Sequence, residues 1–171
     1  MRAHVAETYG LILPEIRLTD DAGLPAGHYR VRIHGVEQAH DSLVTDGVLA
    51  ILPSGDHAEL PPGRDVREPV YGAAARWIDP GRQEEAALAG VTVVTPAEVL
   101  ATHLLEVLKR NLARLLTLKT LRRLLDTFAG VSDPARAEAN RRLLDELIPE
   151  KVPVDLLLAV LRLLLEERVS I

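Results

Sequence analysis

Val91-Thr92-Val93-Val94-Thr95-Pro96-Ala97-Glu98-Val99-Leu100-Ala101-Thr102-His103-Leu104 changes its period midway. The β-branched residues 91–94 suit a short strand. Thr95-Pro96-Ala97-Glu98 then has the form of a capping box with proline at the first helical position. In that form the Thr95 hydroxyl and the Glu98 carboxylate satisfy two amides that a helix start leaves open. Beyond it, Leu100, Leu104, Val107, Leu108, Leu112 and Leu115 recur at helical spacing and predict one buried stripe. At about 100° per residue Thr102 lies nearly opposite the centre of that stripe, so it is expected to face outward.

Strand signals dominate upstream. Residues 11–18 are apolar and predict an extended strand, with Pro14 at an edge or bulge. Tyr29-Arg30-Val31-Arg32-Ile33-His34 alternates, which puts Tyr29, Val31 and Ile33 on one face and Arg30, Arg32 and His34 on the other. Residues 47–52 read as a further strand. Pro53-Ser54-Gly55-Asp56 and Leu60-Pro61-Pro62-Gly63 read as turns. A short helix is expected over residues 80–89, capped by Asp79, opened by Pro80 and ended at Gly90.

Downstream, helices follow one another. Residues 118–128 end at Gly130, Asp133-Pro134 restarts a helix to about 147, and Pro153 opens another to about 168. The shift near residue 116 marks a boundary between an α+β part and an all-α part.

Composition narrows the function. The chain has 171 residues, 47% of them apolar and 3% aromatic, enough for an aliphatic core in a soluble globular protein. A net charge of -5 supplies no positive field for nucleic acid. The absence of cysteine excludes disulfides and thiolate metal sites and suits a reducing cytoplasm. The most apolar run, residues 154–165, is broken by Asp155 and Arg162 and is too short to span a bilayer, so no membrane contact is expected of it.

Catalytic and cofactor motifs are not found. The six histidines, at 4, 28, 34, 40, 57 and 103, include no pair at i, i+4, which speaks against zinc. There is no G-x-S-x-G elbow, and Gly23, Gly27 and Gly35 do not form a phosphate-binding turn. No cofactor and no enzymatic activity are expected. His34 is expected to be exposed on a polar strand face and His103 to be partly buried packing. Arg67-Glu68-Pro69, taken alone, is a charged turn in which Pro69 keeps Glu68 extended. Trp77 is expected to anchor a core between Ala75 and Ile78.

Several segments together resemble one family. They are Tyr29-Arg30-Val31-Arg32-Ile33-His34-Gly35-Val36-Glu37, Leu49-Ala50-Ile51, Arg67-Glu68-Pro69-Val70-Tyr71-Gly72, Ala75-Arg76-Trp77-Ile78, Ala101-Thr102-His103-Leu104 and Leu163-Leu164-Leu165-Glu166-Glu167-Arg168. In this order they resemble the cytoplasmic region of the FHIPEP export-gate family of bacterial flagellar and virulence type III secretion, most closely its flagellar members.

The resemblance implies an α+β fold in three parts. A first subdomain comprises residues 1–46 and 96–115, a second at 47–95 is inserted into it, and an incomplete helical third spans 116–171. It further implies a docking place for export chaperones with their cargo, in a nonameric ring with other export-apparatus components at the cytoplasmic face of the inner membrane. Glu68, Tyr71 and Thr102 stand at the family's docking positions: Glu68 as an acceptor at the rim, Tyr71 as apolar area with a polar tip, and Thr102 as an outward hydroxyl. The match begins just before the first strand, short of a helix the first subdomain normally has, and it stops at Ile171. That implies a fragment of a longer family protein. The alternatives are a virulence (injectisome) homologue, a small enzyme using His103 with a nearby carboxylate, and a purely structural ring segment.

Overall fold

The computed structural model describes residues 2–52 and 60–171; the turn expected at Pro53-Ser54-Gly55-Asp56 lies outside them. In chain order the elements begin with α1 (Arg2–Tyr9), β1 (His28–Ile33), β2 (Val36–Ser42), β3 (Val48–Ile51), β4 (Gly63–Arg67) and β5 (Ala74–Ile78). A 3-10 turn (Pro80–Arg82) leads into α2 (Gln83–Leu88), β6 (Thr92–Val94) and α3 (Pro96–Arg110). Four more helices close the chain: α4 (Leu112–Leu115), α5 (Leu118–Ala129), α6 (Pro134–Leu147) and α7 (Val154–Glu166). The fold is α+β, and among the described residues no strand follows β6.

The chain forms two compact units. One is Thr19–Val107, and the other joins the segment up to Leu18 with the segment from Leu108 onward.

Within Thr19–Val107, β1 and β2 form an antiparallel hairpin with a register shift between Val31 and Arg32. The hairpin turns at His34 and Gly35, both with positive φ (50° and 80°), the backbone that a tight two-residue turn requires. His34 is therefore a turn residue, not the last residue of a strand face as the alternation implied. The other four strands make an antiparallel sheet in the order β4-β5-β3-β6. Side-chain alternation gives that sheet two apolar faces. Val48, Ala50 and Ile78 pack with Ala86 of α2 and with Val91. Leu49, Ala75 and Trp77 pack with Val99 of α3. Fully burying each such Leu, Val or Ile is worth about 1.5–3 kcal/mol.

β4 escaped the sequence reading because Gly63-Arg64-Asp65-Val66-Arg67 carries almost no apolar alternation. As an edge strand it needs little. Its Asp65 lies opposite Arg76 of β5 and accepts from the Arg76 Nε at 2.6 Å, with a second bond from Nη2 at 3.3 Å.

The capping reading of α3 is met in detail. The Thr95 amide donates to Glu98 Oε2 at 2.7 Å and the Glu98 amide donates back to Thr95 Oγ1 at 3.3 Å. The Thr95 backbone bond, followed by its hydroxyl bond, holds the Glu98 carboxyl below the usual glutamate range. Thr95→Ala is expected to cost about 1 kcal/mol in denaturant melts. Because the carboxyl is depressed in the folded state, its contribution is present above the ordinary glutamate range and is lost as pH falls through the depressed value. The gap between wild type and Thr95→Ala should therefore narrow in acid.

The expected stripe holds at Val107, Leu108, Leu112 and Leu115, which are buried, and departs from its expected place only over the first turns of α3. Val99, His103, Glu106 and Val107 are buried, whereas Leu100 and Leu104 are half-buried. The helix also ends at Arg110, since Asn111 (φ -121°, ψ 19°) leaves helical geometry before α4 begins.

In the other unit, α4 packs on α7 and α5 on α6. Leu112, Leu115, Leu116, Leu121 and Leu165 are each at most 4% exposed. Thr117 caps α5 and Asp133 caps α6, as Asp133-Pro134 predicted. The Arg162 Nε of α7 donates to the Leu116 carbonyl at 2.9 Å, giving that buried group a partner. The expectation of a strand over residues 11–18 is not met. Leu11 and Leu13 are buried and Leu18 is 86% exposed, so the apolar inward positions are used, but among the described residues no strand pairs with the segment. The residues before it form α1, whose Tyr9 carbonyl accepts from the Ile171 amide at 3.1 Å. Gly10 (φ +72°) makes that approach possible, because a Cβ there would lie 2.0 Å from the Ile171 carbonyl oxygen.

Candidate functional site

The segment after β4 is built around one buried carboxylate. Glu68, 6% exposed, accepts from the Val70 amide at 2.7 Å, the Tyr71 amide at 2.6 Å and the Ala73 amide at 3.1 Å. Its own amide donates to the Ala73 carbonyl, and its carbonyl accepts from the Gly72 amide. Gly72 (φ +72°) turns the chain into β5, and Arg67 clamps the turn by donating to the Gly72 carbonyl at 3.1 Å. Glu68 is thus the scaffold of the turn; the resemblance implied an acceptor at the rim, and this carboxylate is buried with three backbone amides directed at it.

The turn projects Tyr71 outward. Its side chain is 72% exposed, and its hydroxyl donates to Glu106 Oε1 of α3 at 3.2 Å. Thr102 is also exposed, as the helical wheel predicted, and its hydroxyl donates to the Glu98 carbonyl one turn back at 2.8 Å. That bond gives the hydroxyl a partner within its own helix.

Glu68, Tyr71 and Thr102 meet around one open depression of about 210 Å³. Its floor comes from β3 (Leu49, Ile51), β6 (Val94) and α3 (Val99), and its walls include Val70 and Ala73. The depression therefore lies where one apolar face of the sheet runs out beside the first turns of α3. Such a cavity takes one large aliphatic or aromatic side chain better than a polar metabolite.

His103 does not line the depression. It is 6% exposed, and its Nδ1 lies 2.5 Å from the Tyr29 hydroxyl of β1. Burial, with Asp41 and Glu68 nearby, pushes the Tyr29 phenol well above its ordinary value, so it stays protonated, and the imidazole tautomer sets which of the two groups donates. The sequence reading placed His103 correctly in packing but missed this partner, as it missed Glu106. Neither pairing has a sequence signal, because Tyr29 and His103 are 74 positions apart and Tyr71 and Glu106 are 35 apart.

The fold and site define an α+β protein with an open recess whose described lining is mostly apolar, with Glu68 and Glu98 among the lining residues. The chain belongs to the FHIPEP family, whose model matches residues 1–171. It is 38% identical over its full length to the flagellar biosynthesis protein FlhA of Caulobacter vibrioides, of which it covers 23%. Against FlhA of Bacillus subtilis the identity is 33%, with 100% of this chain and 24% of the relative covered. The chain thus spans about a quarter of the length of these curated relatives. Its fold is similar to that of the Chlamydia pneumoniae CdsV protein in complex with CdsO, at a TM-score of 0.77 and 19% identity over 99% of this chain and 49% of that one. It is also similar to the nonameric SctV-C of EPEC, at a TM-score of 0.60 and 20% identity over 99% of this chain and 48% of that one.

Proposed function

We propose that this chain is part of a flagellar type III export gate and docks export chaperones with their cargo at the depression between Tyr71 and Thr102. The observation that carries this reading is that Glu68, Tyr71 and Thr102 line one apolar recess with a large aromatic ring exposed beside it. An open apolar recess beside an exposed ring suits one apolar anchor from a partner protein. The 38% identity to a flagellar relative favours flagellar over virulence secretion. The engagement of His103 with Tyr29, away from the recess, supports a docking role without catalysis.

The intact protein would act at the cytoplasmic face of the inner membrane, in a nonameric ring with other export components. Among the described residues no helix is long and apolar enough to cross a membrane. The three-part division at residues 46, 95 and 116 belongs to the same proposal. Support is limited to its inserted second part, since β3 to β6 and α2 lie within residues 47–95, whereas the two compact units divide after Leu18 and after Val107.

Tyr71→Asp puts a charge beside the apolar floor, and Thr102→Met fills the recess from its rim. Each should weaken binding of a flagellar chaperone–cargo complex at least tenfold in titration calorimetry, with an unchanged circular dichroism spectrum. Equal affinity in the folded variants would remove the docking assignment. Binding of needle-specific chaperones instead would move the chain to the virulence branch.

A further inference from the structure

We infer that Glu106 is a positioning residue for the depression: it tethers the Tyr71 ring through the phenolic hydroxyl and so presets one wall of the site. The inference rests on the docking reading for its functional consequence, though not for its geometry. Tyr71 is 72% exposed, and a side chain with that little packing ordinarily samples several rotamers. Here its far end is held by a carboxylate that is itself 7% exposed on α3, so the acceptor belongs to the core of the helix rather than to a mobile surface arm. The near end is held too, because the Tyr71 amide donates to Glu68 Oε1 at 2.6 Å. Tyr71 is thus held at its backbone amide by Glu68 in the turn after β4 and at its phenolic hydroxyl by Glu106 in the third turn of α3. Thr102 lies one helical turn before Glu106 and lines the same recess.

A preset ring spares the partner the ordering cost of a two-torsion side chain, and this raises affinity without adding a contact to the partner. A phenylalanine would supply the same apolar area with no tether. The phenolic oxygen therefore acts on order rather than on area.

The test uses the full chain with the ring of Tyr71 isotope-labelled, and reads ring order by NMR relaxation alongside chaperone–cargo affinity. Glu106→Gln keeps an acceptor at Oε1 and should keep the ring ordered. Glu106→Ala should release it and weaken binding about three- to tenfold. Tyr71→Phe, which removes only the phenolic oxygen and keeps the ring, should lose ring order and affinity to the same extent. Combined with Glu106→Ala it should add little. A ring as mobile in the wild type as in Tyr71→Phe, or as ordered in Glu106→Ala as in the wild type, would overturn the tether. A tether that survives this test on a chain that binds no chaperone–cargo complex would count against the docking reading alone.

Discussion

Glu68→Ala should destabilise the chain by about 3 kcal/mol in urea unfolding and abolish docking at the depression. The loss follows from the number of donors that depend on one carboxylate. Val70, Tyr71 and Ala73 all direct amides at it, within 3.1 Å, through bonds that are themselves buried or partly buried. Each amide left without an acceptor costs about 1–3 kcal/mol, with the lower end applying where water can reach it. Glu68→Gln separates charge from geometry. Its remaining oxygen can serve Tyr71 and Ala73, while its amide group would face the Val70 N–H donor to donor. A cost of about 1–2 kcal/mol is expected, with docking weakened but measurable. Equal stability of wild type and Glu68→Ala would show that the turn is held by its backbone bonds and by Arg67, and that the carboxylate is dispensable.

This carboxylate also shows where the sequence stops being legible. Local rules succeeded wherever both partners of an interaction lie within a few residues. The Thr95–Glu98 box, the Asp79 and Asp133 caps, and the outward Thr102 all depend on spacings of four positions or fewer or on a single helix. They failed where the deciding partner is remote. Residues 11–18 had a strand's composition but no pairing neighbour among the described residues, and β4 had a neighbour but no strand composition. The bend at Asn111 divides what the spacing of Leu100 to Leu115 suggested was one helix. Glu68 lies between these cases. Its three amides are within five residues, yet Glu-Pro in a charged turn gives no sign that the carboxylate points inward. The gathering of Glu68, Tyr71 and Thr102 was anticipated from family resemblance alone, since no periodicity connects residue 71 with residue 102.

Trp77→Ala should cost about 3–5 kcal/mol and disrupt the depression, although Trp77 itself does not line it. The indole is 7% exposed on β5 and packs with Leu49, Ala75 and Val99. Leu49 and Val99 are floor residues of the recess, so the tryptophan supports the site from beneath. Removing it leaves a void next to both, and partial collapse into that void would carry the floor away from the Tyr71 wall. Filling is the control: Trp77→Phe retains most of the volume and should cost about 1–2 kcal/mol with docking retained. The chain has no other tryptophan, so the wild type reports its own unfolding through indole fluorescence, and the variants are compared by circular dichroism. The two effects scale differently, and this makes the test selective. A purely global loss of stability would leave the affinity of the folded fraction unchanged under strongly native conditions. A collapsed floor would weaken binding even where Trp77→Ala is fully folded, and that second outcome is the one expected from the contact of Trp77 with Leu49 and Val99.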